Sequence, residues 1–159
     1  MFDQILGLPA HALIIHFAVV LTPLLAAVAV AYALLPRWRA NVAWAVVLLA
    51  LAVPAAVFAA RQSGESLKAA RFSTAEGEMA ARISTHQSFA TPLLMSVLGL
   101  SVAALLLVYA TRPARDSVGR DRFGRAVTVI LSVLTVALAA VSGYFVFQAG
   151  DSGARAVWS

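Results

Sequence analysis

A chain of 159 residues that is 62% hydrophobic and only 12% charged falls outside the composition of soluble globular domains. It has no cysteine, which excludes disulfides, iron–sulfur clusters and thiolate metal sites. The formal net charge of +5 comes from twelve Lys and Arg spread among the polar segments; with no basic face, no nucleic acid partner is expected.

The remaining pattern is four long apolar stretches, at about 10–35, 40–61, 87–111 and 125–148, each near the ~20 residues that cross the hydrocarbon of a bilayer. Their interiors lack Asp, Glu, Lys and Arg. The expectation is an all-α fold, a four-helix transmembrane bundle with antiparallel neighbours, forming one membrane domain over residues 1–159.

The chain opens with a short turn around Gly7, and Pro9 suits an early helical position because its φ is fixed and its missing donor is not needed there. The first span differs from a secretory signal: its start, Met1-Phe-Asp-Gln, lacks a basic region, and Arg37 and Arg39 follow the apolar run. Pro54 inside the second span is expected to kink it or free a carbonyl. The middle loop begins near Gln62, and Ser73 with Glu76 reads as a capping box. Met79, Ile83, His86 and Ala90 keep helical spacing, so the third helix extends outside the membrane and enters it near Phe89, with Pro92 as a bend.

A short basic loop, Thr111 to Arg125, leads to the fourth span. That span is expected to end at Gly150-Asp-Ser-Gly153, since glycine suits a helix terminus, with Trp158 at the interface. Ala27 with Ala31, and Ala139 with Gly143, keep the four-residue spacing of close helix contacts. Ser152 sits in a protease-like Gly-Asp-Ser-Gly tetrapeptide, but no base accompanies it, so a turn is the reading.

The chemistry rests on three histidines, His11, His16 and His86, which this topology gathers at one end of the bundle, where Asp151 also returns. His16, between Ile15 and Phe17, falls within the hydrocarbon boundary, where an ionisable group is costly and marks a functional candidate. On an ideal helix His11 and His16 stand about 140° apart with about 7.5 Å of rise, so they do not form a compact ligand pair. Two cofactor chemistries fit. A haem b would take His16 and His86 as axial ligands, with Arg82 or Arg155 near the propionates. A copper or zinc ion would take its ligands from His11, His16, His86 and Asp151. The contrasting reading is that these histidines only hydrogen-bond within the bundle, His16 to Gln87, Ser88 or Thr91, in a structural or partner-scaffolding protein without cofactor. No histidine lies in the other half, which excludes a two-haem wire across the bilayer.

The segment Gly7-Leu-Pro-Ala-His11 followed by His16-Phe17, the position of His86 before the third span, and the tail Gly150-Asp-Ser-Gly-Ala-Arg-Ala-Val-Trp158 resemble the bacterial membrane family called domain of unknown function 2231. The resemblance covers nearly the whole chain and implies the four-helix fold. Ala12 stands where the family often has proline, and Asp151 where many members have histidine. A ligand role carried over to that position therefore falls to Asp151 or is lost. Some relatives are joined to redox modules, which implies an electron-transfer setting with a redox partner protein or a quinone, and a homodimer would give a larger bundle.

Orientation follows from the loop cations, because short loops rich in Lys and Arg resist translocation. Arg37, Arg39, Arg112, Arg115, Arg120, Arg122 and Arg125 lie on one side; Arg61, Lys68, Arg71, Arg82 and Arg155 lie on the other. Seven against five puts the first side in the cytoplasm, and both termini outside the bacterial inner membrane. Reporter fusions check this: alkaline phosphatase is expected to be active when joined after Ser159 and inactive when joined after Arg39.

Overall fold

A computed structural model of the chain describes the backbone of residues 4–5, 8–71, 74, 76–112 and 122–158, and the side chains of residues 14–70, 74, 76–112 and 122–155. The side chains of His11, Arg71 and Trp158, the residue Ser73, and the loop residues Arg115, Asp116, Arg120 and Asp121 lie outside these.

Four helices make up the fold: α1 (Ala10–Leu34), α2 (Arg39–Arg71), α3 (Gly77–Thr111) and α4 (Arg125–Trp158). All four are long and apolar enough to cross a membrane. Before them, Gln4–Ile5 (β1) and Leu8–Pro9 (β2) pair antiparallel over two residues each. Pro9 therefore ends β2 and directly precedes α1 rather than sitting inside its first turn.

Successive helices run antiparallel and close into a ring, with α1 packed on α2 and α4, and α3 packed on the same two. Helices α1 and α3 face each other diagonally and touch little, while α3 and α4 share the most extensive interface. The core draws on every helix: Leu25 and Ala29 of α1, Val46 and Val53 of α2, Val97, Leu100 and Leu107 of α3, and Ala139 of α4 are all buried. Helix α3 is the most enclosed, with 61% of its apolar window buried against 22–28% in the others. The outward faces carry Phe17, Trp44, Leu51, Phe58, Met95 and Ile130 exposed. Such a surface suits lipid, which costs nothing to meet with apolar side chains.

Helices of 33 to 35 residues exceed what the hydrocarbon requires. Helix α2 continues through the expected loop at Gln62 to Arg71, and α4 runs through Gly150 and Gly153 to Trp158. The expected terminus at Gly150 is thus corrected: backbone hydrogen bonding continues because α4 packs along the extension of α3, and tertiary packing overrides glycine's weak helix propensity. Helix α3 starts at Gly77 with Glu76 as its N-cap residue and no side-chain cap, so Glu76 stands before the helix rather than at its third position. Positive φ values at Gly77 (63°) and Gly124 (83°) let the chain turn into α3 and α4, at positions costly for any residue with a Cβ.

Pro23, Pro54 and Pro92 all lie inside helices. The buried small pair on α1 is Ala29 with Ala33, not Ala27 with Ala31; Ala27 is exposed. Buried hydroxyls of Thr22, Thr135 and Ser96 donate to carbonyls of their own helix, at 2.7, 2.7 and 2.9 Å. At the end where α1 finishes, Arg39 donates from Nε to the Tyr32 carbonyl at 3.1 Å and from Nη2 to that of Ala33 at 3.4 Å. It thereby supplies a cation that the last turn of α1 lacks. Tyr32 and Thr111 hydroxyls, 2.7 Å apart, tie α1 to α3 at the same end.

The contrast between core and lipid face sets a stability test. Leu107→Ala, at a fully buried position, is expected to cost about 2–5 kcal/mol. Leu51→Ala, at a position 64% exposed, should leave stability nearly unchanged. Unfolding in mixed detergent micelles measures both.

Candidate functional site at the histidine end

The end of the bundle that carries His16 and His86 is built by the start of α1, the extensions of α2 and α4, and the first turns of α3. His86 lies in the third turn of α3, half-buried against α4. Its Nδ1 is 3.1 Å from Ser152 Oγ. Ser152 Oγ in turn donates to the Ala149 carbonyl at 3.2 Å. In the tautomer that lets the serine give its proton to the Ala149 carbonyl, the ring carries hydrogen on Nδ1 and Nε2 keeps its lone pair.

Gly153 lies directly against the ring. A Cβ there would stand 3.2 Å from His86 Cε1, tighter than most side-chain contacts, and 3.4 Å from Nδ1, so the ring would have to give by a few tenths of an ångström. Ser152 and Gly153, expected at a turn, thus meet the histidine ring. The signal was Gly153, whose missing side chain opens the helix face toward α3 once the helix is known to continue. Ser152 was missed as a partner for the same reason.

Charged groups ring the pair. Arg82 Nη1 donates to the Arg155 carbonyl at 3.1 Å, linking α3 to the last turn of α4, and Nη2 meets Glu78 at 2.6 Å. Arg155 pairs with Asp151 at 2.9 Å. Lys68 of α2 donates to Gln87 Oε1 at 2.8 Å, which joins α2 to α3. Arg82, Arg155, Asp151 and His86 thus share one neighbourhood, on the two helices with the widest contact.

His16 is placed differently. It is exposed on α1, next to exposed Phe17, and α1 stands diagonally opposite α3. Among the described hydrogen bonds, Gln87 is engaged by Lys68, and Ser88 donates to the Thr85 carbonyl. The structure brings His86, Arg82, Asp151 and Arg155 together on α3 and α4, while His16 stands on α1. Among the described residues no three His, Asp or Glu side chains gather closely enough to hold a metal ion.

The family model described as a predicted membrane protein, DUF2231, matches residues 7–159. The chain belongs to that family. No curated protein and no solved structure matches it.

Two substitutions probe this contact. Ser152→Ala is expected to cost about 0.5–1.5 kcal/mol, the usual net worth of one hydrogen bond. Gly153→Val should push the ring away and remove the single tautomer. Imidazole nitrogen NMR shifts of His86 give the readout: one Nδ1–H form in the parent chain, a mixture in both variants.

Proposed function

We propose that this membrane protein of the DUF2231 family holds a haem b, or alternatively a metal ion, at its outer end through His86 and acts as a redox or cofactor-binding subunit. The observation that supports the reading is the chain from His86 Nδ1 through Ser152 to the Ala149 carbonyl. A histidine fixed in this way presents Nε2 as a ligand, and metal-bound imidazoles characteristically hold their other nitrogen to a hydroxyl or carbonyl. The donor set suits a haem: the His86 imidazole would hold the iron, His16 would be a second ligand, Arg82 and Arg155 would meet the propionates, and His11 and Asp151 would be auxiliary groups.

Haem supplies a one-electron couple when bound. This chain would orient the ligand nitrogen, exclude water with its apolar core, and balance charge with the two arginines. With imidazoles only in the outer half, electrons would be exchanged with an external protein or a quinone rather than carried across. We place the bundle in the bacterial inner membrane with both termini outside, following the loop cations.

A second reading has its own support. The fit of His86 over Gly153, with Nδ1 already hydrogen-bonded, is also what an interhelical clasp requires. On that reading the protein is structural and binds no cofactor.

An absorption spectrum of detergent-purified protein from haem-replete cells separates the two. A Soret band lost in His86→Ala, and weakened or shifted in His16→Ala, is the expected result. A colourless preparation with no copper or zinc by elemental analysis rejects the cofactor reading in favour of the clasp.

A further inference from the structure

At the opposite end of the bundle, a crevice of about 1110 Å³ opens between the last turns of α1 and the first half of α4. Its walls are apolar, formed by Ala33 and Leu34 of α1 and by Val129, Val133 and Val136 of α4. Leu34, Val129 and Val133 are 60%, 52% and 65% exposed, so this wall faces the hydrocarbon. At the polar limit of the crevice stand two guanidiniums, Arg39 and Arg125. Among the described residues neither pairs with a carboxylate: the ion pairs are Arg61–Glu65, Arg82–Glu78 and Arg155–Asp151, all at the histidine end.

We propose that this crevice binds one anionic phospholipid, its phosphate between Arg39 and Arg125 and an acyl chain along Val129, Val133 and Val136. Three features argue for this occupant. The crevice is continuous with the lipid-facing surface, so hydrocarbon chains reach it without crossing water. Its cations lie together at one end, where a headgroup sits when the chain lies against the helices, and basic pockets between transmembrane helices select anionic lipids in this way. The nearby hydroxyls are already committed, Ser132 to the Thr128 carbonyl at 2.8 Å and Thr128 to that of Gly124 at 3.4 Å. Recognition therefore falls to charge, which favours an anionic over a zwitterionic headgroup. Arg39 is held in place by the carbonyls of Tyr32 and Ala33 and by the Tyr32 ring, 5.6 Å from its guanidinium carbon. The site is thus partly preorganised.

Titration of the purified full-length chain with dioleoyl phosphatidylglycerol and with dioleoyl phosphatidylcholine, read by native mass spectrometry, tests the proposal. One phosphatidylglycerol should be retained about fivefold more tightly than phosphatidylcholine, the effect of roughly one well-placed cation. Arg125→Gln should abolish most of that preference, and Arg125→Lys should keep it. Val133→Trp, which places a bulky ring on the acyl-chain wall and leaves both arginines, should weaken lipid retention. Equal retention of the two lipids, or a preference unchanged in both Arg125→Gln and Val133→Trp, overturns the proposal. So does equal competition by glycerol phosphate, which would show that a free phosphate, not a lipid, is the ligand.

Discussion

Hydrocarbon offers no partner to a peptide N–H or C=O, and this one constraint decides most of the architecture. Each span must satisfy its backbone internally, so the chain crosses as four uninterrupted helices even where Pro23, Pro54 and Pro92 interrupt the donor pattern. The same constraint acts on several buried hydroxyls, though not on those of Ser101 and Ser142, which have no hydrogen-bond partner among the described residues. Thr22, Thr135 and Ser96 turn back on their own helices and spend no bond on a neighbour. Association in the middle of the bundle is left to close packing, as at Val97, Leu100 and Leu107. Side-chain bonds between helices are formed at the ends: Tyr32 with Thr111 at one, His86 with Ser152 and Lys68 with Gln87 at the other.

The ends differ because the helices overshoot the hydrocarbon on one side only. Extensions of α2, α3 and α4 beyond their apolar segments create a place where polar groups can meet on regular helices instead of loops. Helix positions fix side chains more narrowly than loops do. That is why His86 Nδ1 can be met by a serine one helix away. Gly153, by lacking a side chain, lets the ring sit a few tenths of an ångström closer to α4 than a Cβ there would allow.

The spans were legible in the sequence because their cause is coarse: long apolar runs without charge have few alternatives. The family resemblance, carried by Leu8-Pro9-Ala10-His11 and the C-terminal segment, agrees with the match over residues 7–159. The helix ends were less legible. Gly150 and Gly153 look like terminators when only local propensity is weighed, and the packing that carries α4 past them comes from α3, some sixty residues earlier in the chain. His86 was identified but its partner was not, since Ser152 becomes available only if that helix continues. Arg82 of α3 and Asp151 and Arg155 of α4 lie at one end of the bundle because both helices extend past their apolar segments there.

Charge is also arranged differently at the two ends, and the difference bears on what each can hold. At the histidine end the described cations Arg61, Arg82 and Arg155 each have a carboxylate at i±4 on the same helix. Exposed pairs of this kind add little stability, but they leave the end nearly neutral and keep long side chains in place around His86. At the other end the guanidiniums turn elsewhere: Arg39 to carbonyls and the Tyr32 ring, Arg122 to the Tyr109 ring at 4.4 Å. Neither a carbonyl nor a ring cancels a full charge. The seven-to-five cation count therefore understates the contrast in field, which is close to balanced at one surface and positive at the other. A neutral imidazole ligand suits the balanced surface, where no neighbouring excess of positive charge competes with a bound cation. An anionic headgroup suits the other.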